Sequence, residues 1–151
     1  MAFNEQGQGT TEYLIVLAIV IVIALVVVGV LGGFPKLGAG IGESQSKAYW
    51  GAIHPLGFVD WSIPSSGNGS IIVQNNSIFS VTLVDINWNG ASTALPDVNV
   101  SPGARVAVSS NRMTCTAVGQ KFSINVGYTY NTPDISGKNF NGVQPLVGVC
   151  Q

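Results

Sequence analysis

The side chains able to move a proton, attack an electrophile or hold a metal are few and scattered. The carboxylates are Glu5, Glu12, Glu43, Asp60, Asp85, Asp97 and Asp134, the one histidine is His54, and the cysteines are Cys115 and Cys150. No two carboxylates stand at a spacing that marks a general acid–base pair. No nucleophile elbow, zinc-protease helix, phosphate loop or dinucleotide fingerprint occurs. His54 precedes Pro55 and reads as a structural or exposed histidine. Asp97 and Asp134 fall in turn-rich stretches, where carboxylates ordinarily cap backbone N–H groups. Neither cysteine has a CxxC partner or a neighbouring histidine, so redox catalysis and zinc are poor readings. The chain reads as a protein that is not an enzyme and carries no cofactor or metal.

Other chemistry is carried by spacing. In an oxidising compartment Cys115 and Cys150 form a disulfide, which would close the loop between them and hold the C-terminal strand. Such a closure is worth roughly 3–4 kcal/mol in the chain-entropy view. In a reducing compartment the same two residues are small core hydrophobes. Three Asn-x-Ser triplets, at Asn68, Asn75 and Asn99, lie in or beside expected turns and are candidate N-glycosylation sites. Charged residues are 9% of the chain and the net charge is −1, against roughly 25% charged in an average soluble protein. Lys36, Lys47, Arg105, Arg112, Lys121 and Lys138 are dispersed, so no basic patch exists for nucleic acid. Glycans or burial in an assembly would supply the solubility that charge does not.

The elements that must position these residues fall into two regimes. From Tyr13 to Leu31 nineteen residues carry no charge and one glycine, spanning about 28 Å as a helix, close to the hydrocarbon thickness of a bilayer. The run is rich in Val and Ile, but only a helix satisfies its backbone in lipid. It is too long, and lacks the basic start, for a secretory signal peptide. The glycine-rich stretch that follows contains Pro35, which would interrupt a helix. Even so, Leu37, Ile41, Ser44, Ala48 and Ala52 recur at helical spacing as a stripe of mostly small residues, the kind that lets helices approach closely. The sequence leaves open whether this stretch is a flexible linker or a continued helix.

From Gly57 onward short runs rich in Val, Ile and aromatics alternate with Gly, Pro, Asn and Ser. "GFVDWSI", "SIIVQN", "SIFSVTLVDINWN", "ARVAVSS", "KFSINVGYTYN" and "VQPLVGVC" read as six or seven antiparallel strands. The fold class is α+β: a long hydrophobic helix followed by an antiparallel β-sandwich, broadly immunoglobulin-like.

The opening stretch "QGQGTTEYLIVLAIVIVI" resembles the processing site of archaeal type IV pilins of the class III signal peptide group. In that family a short leader ends in Gly, cleavage precedes a Gln, and a Ser or Thr stands at the third mature position. A Glu stands at the fifth, directly before the apolar helix. The matching residues are Gly7, Gln8, Thr10 and Glu12, followed by Tyr13 and Leu14. The direct match covers about thirty residues, and the helix-then-β layout extends it loosely over the chain.

The resemblance implies a leader at 1–7, an assembly and transmembrane helix at 8–53 and an extracellular β domain at 54–151. It implies cleavage between Gly7 and Gln8 by a prepilin peptidase. A membrane-inserted precursor would then pass, through pilus assembly machinery, into a homopolymeric helical filament used for adhesion. Thr10 and Glu12 would be the assembly residues, Glu12 meeting the N-terminal amine of a neighbouring subunit or, if Gln8 cyclises, a hydrogen-bonding partner such as Thr10 or Thr11. A motility filament of related subunits shares this design, and a monomeric single-pass surface protein shares most of the composition.

Overall fold

The computed structural model describes residues 8–30 and 42–151. Pro35, Leu37 and Ile41, and with them the continuity of the helix through the glycine-rich stretch, lie outside the described residues. The chain forms two compact units that divide between Gly40 and Ile41.

The first unit contains helix α1, Gln8–Val30. Its stretch Gly9–Val27 has a mean hydropathy of 2.7 and none of it is buried within the chain. Apolar residues cover the whole circumference, the pattern of a helix that must be surrounded by lipid or by other helices.

The second unit begins with helix α2, Glu43–Gly51, and continues in strands that pair only antiparallel. The α+β class expected from the sequence is therefore the observed one. Strands β1 (Leu56–Ser62), β2 (Gly69–Asn75) and β6 (Arg105–Ser110) form one sheet in the order β1-β2-β6. A second sheet is built on β3 (Val81–Trp88) and β8 (Val126–Asn131), with β9 (Lys138–Asn141) beyond β8. The short strands β4 (Ala91–Ser92) and β5 (Val98–Val100) share the free edge of β3, one at each end. Strands β7 (Lys121–Ile124) and β10 (Leu146–Val149) make a two-stranded ribbon.

Three local features depart from the expected strands. The alternation of β3 is broken by a bulge between Leu83 and Asp85. Val81 and Leu83 are buried before it, and Ile86 and Trp88 after it, so the strand keeps its apolar residues inward by shifting phase. The single run "KFSINVGYTYN" is two strands in two sheets, exchanged at the exposed Asn125, with the burial phase kept across the switch. Strands β4, β5 and β9, two to four residues long, lie outside the six runs that read as strands. The turn at Asn89–Gly90 behaves as its sequence predicts. Both residues have positive φ, 50° and 86°, which is what a two-residue hairpin loop with the twist of its strands requires.

One core joins the three sheets and α2. It is centred on Trp50, Phe58, Ile71, Leu83, Ile86, Tyr128 and Leu146, all nearly or fully buried. The Trp50 indole lies flat on Phe58, 5.0 Å between centroids and 9° between planes, with Phe140 and Tyr49 edge-on to it. α2 is thereby part of the β domain's own core, and the domain starts ahead of α2 rather than at residue 54.

Gly142 makes room for this stack, because a Cβ there would overlap the outer ring of the indole. Gly142→Ala is expected to lower the unfolding free energy by about 1–3 kcal/mol through overpacking. Urea unfolding followed by Trp fluorescence measures it, and an unchanged midpoint would show that the indole can give way.

Candidate functional site

The residues expected to act in processing and assembly cluster at the start of α1. Gly7 lies outside the described residues, and Gln8 is the first residue of the helix. Thr10 and Glu12 both lie within α1 and are exposed. Being two positions apart they point about 200° from each other around the axis, so the helix puts them on different faces. Glu12 is the one charged residue in α1. Within its own unit nothing covers the apolar surface that follows it.

A second constellation, which the sequence reading did not single out, fixes α2 to the sheets. Ser46 and Trp50, one turn apart, are the buried residues of the helix. Ser46 Oγ donates to the Pro145 carbonyl and accepts from the Val147 N–H, both at 3.0 Å. The Tyr49 hydroxyl accepts from the Val143 N–H at 3.0 Å. At the C-terminal end Asn76 Nδ2 donates to the carbonyls of Gly51 (2.9 Å) and Ile53 (2.8 Å), acceptors that a helix end leaves unpaired. Gly57 permits this approach, since a Cβ there would fall 2.7 Å from both Asn76 Nδ2 and the Gly51 carbonyl. The Tyr128 hydroxyl donates to the Leu56 carbonyl at 3.0 Å, and burial pushes its pKa well above the usual phenol value. Trp50 Nε1 is buried with no hydrogen-bond partner, held by packing alone.

On the outer face of α2 Lys47 bridges Glu43 at 3.5 Å and Asp60 at 3.1 Å. The hydrogen bond from Lys47, and then that from the Trp61 backbone, hold the Asp60 carboxyl below its ordinary range. The hydrogen bond to Asp60 holds the Lys47 ammonium above its own. Ser44, Ala48 and Ala52 of the small-residue stripe are exposed. Within this unit the helix packs by its Ser46–Trp50 face and leaves the small residues outward.

Cys115 and Cys150 are joined by a disulfide, with Cα atoms 5.9 Å apart. Around the bridge the Cys115 N–H donates to Pro64, the Cys150 N–H to Gln120 and the Gln151 N–H to Ile63. Three chain segments converge there, and the last residues are tied down.

The three sequons separate. Asn68 is exposed in the turn before β2, and Asn99 is exposed on β5. Asn75 is 1% exposed. Its Nδ2 donates to the Phe79 and Val100 carbonyls, both at 2.8 Å, and its Oδ1 accepts from Ser77. A glycan on that nitrogen has no room in this fold, so Asn75 drops out of the candidates. His54 is exposed. Among the described residues no group of three His, Cys, Asp or Glu is placed to hold a metal ion.

No protein-family model matches the chain, and no curated protein matches it.

Asn76→Ala removes both bonds to the end of α2 and is expected to cost about 1–3 kcal/mol. The exposed Asn99→Ala should stay within about 0.5 kcal/mol. Equal midpoints in denaturant for the two variants would deny Asn76 its anchoring role. A pH dependence also follows. A depressed carboxylate stabilises the fold above its unfolded pKa, and that contribution is lost as pH falls through the folded value. Both partners of the Lys47–Asp60 pair are more than a third exposed, so the contribution is under about 1 kcal/mol. The stability difference between wild type and Asp60→Asn should thus be small at neutral pH and vanish as pH falls below 3.8. A difference that grows on acidification would have the wrong sign.

Proposed function

We propose that the chain is a structural subunit of an extracellular, archaeal type IV pilus-like filament used for adhesion. In this reading it polymerises through its N-terminal helix and displays the β domain. The observation that carries the reading is the register of Gly7, Gln8, Thr10 and Glu12 against the apolar run. Support comes from the nature of α1, which is exposed and apolar on every side from Tyr13 to Val27. Lipid satisfies such a surface before assembly, and a bundle of like helices satisfies it afterwards, at about 25 cal/mol per Å² of apolar surface removed from water. A disulfide-closed domain suits an oxidising exterior.

In the assembled bundle Glu12 has a defined task. A carboxylate in an apolar helix core is costly alone, and the N-terminal amine of a neighbouring subunit offsets that cost. If Gln8 cyclises after cleavage the amine is lost, and Glu12 then needs a hydrogen-bond donor instead. The chain's chemistry is assembly and display, with a prepilin peptidase and the assembly machinery as partners and no catalytic step of its own. The helix is also long enough to serve as a single-pass anchor for a monomeric surface protein, which is the second reading.

Mechanical shearing separates the two, because a filament subunit leaves the cell and an anchored monomer stays with the membrane. The sheared material should have an intact mass that starts at Gln8, with or without loss of ammonia. A mass starting at Met1 or Ala2, or an empty sheared fraction, favours the anchored monomer. Glu12→Ala should lower filament yield more than membrane insertion, and equal filament yield would remove Glu12 from assembly. Loss of swimming rather than of attachment on deletion would reassign the filament to motility.

A further inference from the structure

Near the C-terminal end of α2 a pocket of about 350 Å³ opens between the β2–β3 turn and the β8–β9 hairpin. Its walls are chiefly apolar, formed by Pro55, Ile78, Phe79 and the ring of Tyr130, with Lys138 and His54 as its basic side chains. Tyr130 is fixed by packing against Tyr128, 5.6 Å between centroids. The turn is equally built. Asn75 Oδ1 accepts from the Ser77 N–H at 2.9 Å while Asn75 Nδ2 donates to the Phe79 carbonyl at 2.8 Å. That buried amide holds Ile78 93% exposed and Phe79 40% exposed at the lip of the pocket. An apolar side chain kept in water by a rigid turn beside an apolar cavity is unexplained by the folding of the chain alone.

The charge at this site is also unmatched. Both ion pairs among the described residues belong to Lys47, so Lys138, half-buried in the pocket wall, has no carboxylate partner there. An apolar occupant alone would cover Lys138 without a counter-charge, which is unfavourable. We infer that this pocket binds a small amphipathic carboxylate. Its apolar body packs on Ile78, Phe79 and Tyr130, and its carboxylate accepts from Lys138 Nζ and the His54 imidazole. The volume lies within the range of small-molecule sites, and the combination of an apolar lining with one or two placed polar groups is what orients such a ligand. The inference does not depend on the filament reading.

The test is a titration of the full-length, isotope-labelled chain in a nonionic detergent with hydrocinnamate, read by amide chemical shifts. Shifts at Ser77–Phe79, Tyr130 and Lys138 should saturate. The alcohol of the same carbon skeleton, and Lys138→Met with the carboxylate, should each bind about tenfold more weakly, the loss of one charge-assisted contact. Lys138→Met retains an apolar stem, and its spectrum reports directly that the fold is kept. Absence of saturable shifts overturns the proposal, as does a matching ammonium compound that binds as tightly as the carboxylate, or unchanged affinity in Lys138→Met. Binding to dispersed chains that is lost in sheared filaments would also overturn it, by assigning the pocket to a contact between subunits. Binding to dispersed chains together with an empty sheared fraction from cells would leave the pocket standing and remove the filament reading instead.

Discussion

The flat contact of the Trp50 indole on Phe58, closed at its edges by Tyr49 and Phe140, turns a nine-residue helix into part of a β domain. A helix that short is marginal in water by its own hydrogen bonds. Its stability comes from one large buried ring and from polar groups that finish its end. Asn76 takes two of the otherwise unpaired carbonyls there, and Ser46 satisfies both a donor and an acceptor of the β10 approach. Glycines at 57 and 142 leave the space that Asn76 and Trp50 need. The same stack continues through Phe58 to Tyr128 and from there to Tyr130, so the anchoring of α2 and the wall of the pocket beside it rest on one run of aromatic rings.

Much of this was legible in the sequence and some could not have been. The apolar run Ile71–Val73 made β2 readable as a strand, although Ile72, between the buried Ile71 and Val73, breaks the apolar–polar alternation that would have marked its inward face. β3 was readable as a strand but not in its burial phase, because the bulge after Leu83 transfers the inward role to Ile86 and Trp88. Nothing in "KFSINVGYTYN" marks Asn125 as the point where the chain changes sheets, since the period of two runs through it unbroken. Three identical-looking sequons differ only in what the fold places around them. The Asn75 amide is consumed inside the turn, whereas Asn68 and Asn99 face outward. At α2 the small residues Ser44, Ala48 and Ala52 share helical spacing yet stay exposed, and Ser46 and Trp50, also one turn apart, carry the packing. Their signal was present as a buried-type aromatic in an otherwise polar nine-residue segment. Asn76 gave no signal, because its partners are 23 and 25 positions away.

The two compact units meet opposite physical demands. Residues 41–151 bury their own apolar side chains, pair their strands with one another and close their C-terminus with the Cys115–Cys150 bridge. α1 does none of this. Its side chains from Tyr13 to Val27 are between 42% and 67% exposed wherever they are large and apolar, so the helix does not bury its own apolar surface. Low overall charge fits that division, since the surface that charge would normally keep in solution is one that α1 requires to be covered.

Glu12 stands where those demands meet. On a helix that is otherwise apolar, a lone carboxylate can remain at the polar boundary of a membrane at little cost, and it becomes expensive only when the helix leaves that boundary for a packed interior. Its energetic effect therefore depends on which surroundings α1 has, and only a fixed counter-charge or donor makes the interior acceptable. A carboxylate so placed is nearly neutral for anchoring and selective for assembly in one register, the one that delivers its partner. The length and apolarity of α1 fit both an anchor and a filament core. The position of one charge beside that run, with a cleavable-looking Gly7–Gln8 pair five residues before it, is what favours the filament.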